Sequence, residues 1–236
     1  MAQMKQPSGN EKPPAAKGAA MDRTSIVTRF HLTLLAFLVA LTVIAYLKVP
    51  APLGFPVHWG LNGHPDEVWP RSTALLLFPA IGLLLTALFF AIGLLASPQQ
   101  IEPGRTVAEA MLTGFLGLLF ALQLSLILIG VGSDIDLTRI VAFVVAVGLL
   151  GIGIALSRAT PNAFSGVRLP WTMADKRNWT ATHRLTGALM VLAGAGLGVV
   201  AFAWPDPINL FQALAVAVFL PVVVAALCSV VLAKSR

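Results

Sequence analysis

Apolar residues run along this chain in stretches longer than a soluble helix or strand requires. Six of them are long enough to cross a bilayer, whose hydrocarbon core takes about 20 apolar residues per helix. They cover roughly 30–48, 73–96, 107–131, 139–157, 183–204 and 208–232, and none carries Asp, Glu, Lys or Arg in its middle. In lipid, only helices and closed barrels satisfy the backbone. A barrel would instead show alternating segments of about 10 residues. The pattern predicts an all-α, polytopic membrane protein with six transmembrane helices. Residues 1–25 have no hydrophobic period and are rich in Lys, Pro, Gly and Ala, so they read as a disordered cytoplasmic tail. Residues 26–132 form an N-terminal three-helix half and residues 133–236 a C-terminal one. The first apolar run starts too far into the chain for a secretory signal and ends on Lys48-Val49, so it is expected to be a retained span.

The connections are unequal. The first loop (about 49–72) and the fourth (about 158–182) are long, and the other three are short. Each half therefore reads as span, long loop, span, short loop, span. An odd number of spans reverses the second half, as in a 3+3 inverted repeat. The alternative is that two long loops fall this way by chance.

Composition agrees with a bilayer as the solvent. Hydrophobic residues make up 57% of the chain and charged residues only 11%, with a mean hydropathy of +0.85. A soluble domain carries about 25% charged residues. The net charge of +6 could point to nucleic acid, but the basic residues are not gathered on one arm, so no direct nucleic-acid binding is expected. They fall between the spans as topology signals. Thirteen of the 16 Lys and Arg lie on the side of the tail, the second and fourth loops and the C-terminus, and three lie opposite. This bias places both termini in the cytoplasm, the first long loop outside and the second inside. The one cysteine, Cys228, permits no intramolecular disulfide and no CxxC pair.

The candidate chemistry sits in the two long loops. The outer one holds His58, Trp59, Asn62, Gly63, His64, Asp66, Glu67 and Trp69. Asn62-Gly63 is a turn signal, since both residues tolerate positive φ. His58, Trp59, Asn62, Gly63, Asp66 and Trp69 are candidates for contact with a ligand. A divalent metal on the His and carboxylate groups and a plain interfacial cap, with Asp66 capping the turn, are the alternatives. No known metal spacing is matched, and no metal is expected.

In the inner loop, Thr172 followed by Asp175 looks like a capping box with Asp in place of Glu or Gln. A helix starting there puts Trp179, His183 and Gly187 on one face. Arg168, Trp171, Trp179 and His183 are expected to pack as one unit. Arg168 and the Lys176-Arg177 pair either hold anionic lipid headgroups or act only as positive-inside anchors. Within the spans, Gln123 and Ser125 are the most polar central residues and are expected to bond between helices. Gly148, Gly151 and Gly153, with Gly194, Gly196 and Gly198, are expected to allow close helix contact.

The run Gly166-x-Arg168-x-Pro170-Trp171-Thr172, followed by Trp179 and His183-Arg184-x-x-Gly187, resembles the signature of the SdpI family of bacterial multi-pass immunity proteins. The segment His58-Trp59…Asn62-Gly63-x-Pro65-Asp66 with its flanking spans resembles the uncharacterised membrane domain that commonly precedes that signature. The resemblance covers roughly 30–95 and 160–205. It implies a protein of the bacterial cytoplasmic membrane that gives resistance to a membrane-active peptide toxin. It also implies signalling, by drawing a transcriptional repressor to the membrane. The expected partners are membrane lipid, a peptide toxin outside and a repressor inside, with no cofactor and no catalytic residue.

The alternative is a small-molecule or lipid transporter built on the inverted repeat. That reading needs a polar midplane site, for which the spans offer little beyond Gln123, Ser125 and some Thr. A membrane enzyme using His58 or His183 would lack an adjacent nucleophile, and no hydrolase, zincin or P-loop motif is present.

Overall fold

A computed structural model describes residues 25–59, 65–162, 164–203 and 207–234; the expected tail therefore lies almost wholly outside the described residues. Helix α1 spans Arg29–Lys48 and leads into a hairpin of β1 (Gly54–Trp59) and β2 (Pro65–Pro70). Then come α2 (Arg71–Leu95), the short α3 (Pro98–Ile101) with a 3-10 turn at Glu102–Gly104, and α4 (Arg105–Gly130). The second half holds α5 (Leu137–Ser157), the short α6 (Pro170–Ala174), α7 (Lys176–Ala203) and α8 (Pro207–Lys234).

The six long helices are apolar enough to cross a membrane, with mean hydropathies of 2.1–2.8 over their most apolar windows. The fold is a six-span, all-α membrane bundle. Its large apolar side chains stay uncovered, as in Leu95 (88% exposed) and Phe202 (81% exposed), because lipid is their solvent. Helix starts follow local chemistry. Thr28 accepts from the backbone N of His31 while the His31 ring accepts from the Thr28 backbone N, a reciprocal cap on α1. Asp136 caps α5 by accepting from Arg139 N.

Helices α1, α2 and α4 pack on one another, as do α5, α7 and α8, and α4 against α5 joins the two groups. The largest helix–helix contact is α5 with α7, and glycine makes it possible. A Cβ at Gly187 would sit 2.8 Å from Ser157 N and against Gly153 O, and one at Gly153 would sit 2.8 Å from Gly187 O. Gly194 approaches Ala146 O in the same way. Gly148, Gly151 and Gly196 were expected to pack too, but a Cβ there would meet nothing within 4 Å.

The central polar residues are internal ties. Gln123 Nε2 donates to Thr42 Oγ1 at 3.1 Å and to Leu75 O at 3.3 Å, joining α4 to α1 and α2. Ser125 differs from expectation: its hydroxyl donates to Ala121 O in its own helix and joins nothing. A serine in a helix can always reach the carbonyl one turn back, and this local bond wins over a partner across the interface.

The two long loops are built differently. The first is an antiparallel hairpin, which the alternation of charged, Pro and aromatic residues did not reveal. The second is an extended stretch with a short helix before α7.

Candidate functional site

At the hairpin end of the bundle, Phe55 is fully buried in a cluster with Ala45, Val49, Ala74, Leu75, Leu126 and Ile127. Trp69 pairs with Phe55 across the strands, packs against the same cluster and donates its indole N–H to Glu67 Oε1 at 2.7 Å. Arg71 closes the base of the hairpin. Its guanidinium donates to Val49 O at 2.6 Å and Tyr46 O at 3.3 Å and lies 5.0 Å over the Tyr46 ring. These are the carbonyls that the end of α1 leaves open.

Asp66 is exposed on β2, next to Glu67, which pairs with His58 across an irregular register. Asp66 falls at the irregularity, between Glu67 opposite His58 and Pro65 opposite Trp59. Asn62, Gly63 and His64 lie outside the described residues, as do the side chains of His58 and Trp59. Among the described residues, no three His, Cys, Asp or Glu side chains gather as a metal would need.

The opposite end is wired more densely. Trp179 is fully buried and donates from Nε1 to Ala159 O at 3.0 Å. Its ring stacks on His183 with centroids 3.9 Å apart and an interplanar angle of 18°. His183 is also fully buried, and both of its ring nitrogens are engaged by backbone. Val167 N approaches Nε2 at 3.0 Å, and Nδ1 lies 2.8 Å from Trp179 O. An amide N–H can only donate and a carbonyl can only accept, so the imidazole is neutral with its proton on Nδ1. No lone pair is left for general-base chemistry. Gly166 makes this approach possible: its φ is +99°, and a Cβ there would collide with His183 Nε2.

Pro170 opens α6 at a position where its missing N–H costs nothing. The Thr172 hydroxyl accepts from Leu169 N at 2.9 Å and shares its proton between Val167 O and Leu169 O. Thr172 therefore does not start the long helix, as the sequence pattern suggested. Asp175 has extended backbone between α6 and α7, accepts from Arg177 N at 2.8 Å and is the cap of α7. Trp171 reaches α8, donating from Nε1 to Ser229 Oγ at 2.8 Å. Asn178 donates to Ser229 O at 2.9 Å and accepts from Thr182 Oγ1.

The expected packed unit is thus divided. Trp179 stacks on His183, Trp171 points to α8, and Arg168 is exposed with no hydrogen bond or ion pair among the described residues. Arg184 is exposed as well, and Gly187 serves the α5–α7 contact.

Sequence reasoning missed several residues at this end. Asn162 Oδ1 gathers Phe164 N, Ser165 N and Ser165 Oγ, and Ser165 also donates to Gly104 O. Thr160 donates to Pro103 O, and Arg105 to Ser25 O at 2.6 Å. His31 is 2% exposed and bonds Thr113 Oγ1 at 2.9 Å. The Thr28-x-x-His31 spacing was the one signal that could have drawn attention to His31.

Residues 158–233 match the SdpI/YfhL protein family. Over this stretch the chain is similar to that family. The matched region takes in the whole wired end of the C-terminal half, from Arg158 through Trp171 and His183 to Ser229. Residues 33–83, which include the hairpin, match a domain of unknown function (DUF1648). The chain is 25% identical over 195 residues to the immunity protein SdpI of Bacillus subtilis (strain 168). That alignment covers 83% of this chain and 89% of the relative. No solved structure matches the chain.

Proposed function

We propose that this protein is a non-enzymatic immunity protein of the bacterial cytoplasmic membrane that gives resistance to a membrane-active peptide toxin. The observation that carries this reading is the similarity to the immunity protein SdpI over 83% of the chain. In this reading the termini and the second long loop face the cytoplasm, and the hairpin faces outward. A toxin would meet His58, Trp59, Asn62, Gly63 and Asp66 of the first long loop, while Trp69 packs at the base of the hairpin. The domain around Trp171, Trp179 and His183 would report inward, to a repressor protein drawn to the membrane. His183 fits a structural role, since backbone groups occupy both its nitrogens. Gln123 and Ser125 spend their donors inside the bundle, which leaves little for a midplane transport site.

The test is expression in a bacterium sensitive to a membrane-active peptide, with survival measured per molecule of folded protein. Wild type should protect. Asp66→Ala should lower protection at an unchanged membrane level, because Asp66 is exposed at the hairpin. Trp171→Ala should abolish any transcriptional response while leaving the protein in the membrane. If the wild type does not protect against any such peptide, the immunity reading is wrong.

A further inference from the structure

We propose that Lys176, Arg177 and Arg184 form a binding site for the phosphate of an anionic phospholipid headgroup. The three cations line an open hollow of about 690 Å³, together with Asp175, Thr180 and Ala181. The spacing explains the shape. Lys176, Thr180 and Arg184 follow one another at i, i+4 and i+8, and Arg177, Ala181 and Arg184 at i, i+4 and i+7, so both rows lie on one helix face. Ala181 leaves a gap between the long side chains. Thr180 does not fill it, because its hydroxyl folds back onto Lys176 O at 2.9 Å. Asp175 lies at the edge with a carboxylate oxygen on Arg177 N.

The charge of the lining favours an anionic ligand. Lys176, Arg177 and Arg184 are all exposed, and none makes a side-chain hydrogen bond or ion pair among the described residues. Three cations elsewhere in the bundle are held, Arg105 by Glu102 and Ser25 O, Arg139 by Asp136 and Arg71 by Val49 O, whereas Arg158 and Arg168 are exposed singly. Lys176 and Arg177 are adjacent and Arg184 follows two turns later on the same face, so the three like charges repel one another across the hollow. A phosphate between them removes that repulsion and accepts paired N–H bonds from guanidinium groups. Helix α7 runs from this turn straight into the bilayer, so the hollow lies where the headgroups of one leaflet are. A generic positive-inside anchor would need the charges but not their convergence on one hollow.

The experiment uses the full chain purified in a neutral detergent, titrated with phosphatidylglycerol or with phosphatidylcholine, with bound lipid counted by native mass spectrometry. Wild type should retain phosphatidylglycerol and not phosphatidylcholine. The K176Q/R177Q/R184Q variant should bind phosphatidylglycerol roughly a hundredfold more weakly. The R158Q/R168Q variant, which removes two exposed cations outside the hollow, should bind it as wild type does. If both variants lose lipid in proportion to the charge removed, the attraction is diffuse and the site does not exist. Retention of inorganic phosphate but not of phosphatidylglycerol would overturn the lipid assignment.

Discussion

A methyl group added at Gly166 would meet two obstacles at once. The residue sits at φ +99°, and the position of the new atom is occupied by the His183 ring. Gly166→Ala should therefore destabilise the protein by about 1–3 kcal/mol, seen as a lower unfolding temperature in detergent. An unchanged temperature would mean that the loop does not lie on His183. Gln123 gives the opposite expectation. Its amide bonds Thr42 Oγ1, but its Oε1 is buried with no partner. Gln123→Leu removes the bonds to Thr42 Oγ1 and Leu75 O together with one unsatisfied atom and should change stability by less than about 1 kcal/mol. A larger loss in the same melt would show that the amide does more than tie α4 to α1 and α2.

At this scale the sequence was informative where a residue acts on near neighbours. The Trp179–His183 stack follows from helical spacing alone. It was silent where partners are distant: nothing near Trp171 announces Ser229, 58 residues away. Arg168 was expected to pack because it sits among packing residues, yet a guanidinium beside a membrane is better solvated outside, and that is where it lies.

Helices were legible from apolar length, because lipid demands length and little else. Their starts were less so. The Thr172–Asp175 pair suggested one helix, but the chain breaks at Asp175 so that α6 can turn Trp171 toward α8 and α7 can begin afresh. The hairpin escaped notice because Pro56, Pro65 and Pro70 and a shifted register hide its alternation, and because two isolated strands need a core to rest on. Phe55 supplies that core only once α1, α2 and α4 have come together. The glycines sort by element as well. Gly187→Val should force α5 and α7 apart, because the added atoms have only the α5 backbone to enter. Gly148→Val should be tolerated, because nothing faces it. Cysteine cross-linking between α5 and α7 reads both: loss of cross-link in the first variant alone is expected, and equal yields would contradict the close crossing.

For the molecule as a whole, the charge bias predicts an orientation that a single-cysteine series can check, once Cys228 is replaced by Ser. Asn62→Cys should react with an impermeant thiol reagent in intact cells, and Lys176→Cys only after permeabilisation. The reverse pattern would invert the proposed sides.

The bond from Trp171 to Ser229 has a consequence for how the protein is made. Of the described spans, α8 is inserted last. Until it arrives, the indole N–H of Trp171 and the amide N–H of Asn178 lack the partners that Ser229 supplies, although every other part of their loop has already been synthesised. Completion of the domain thus waits for this span, and a chain stalled before Ser229 would present an unfastened segment to the quality-control proteases of the cell.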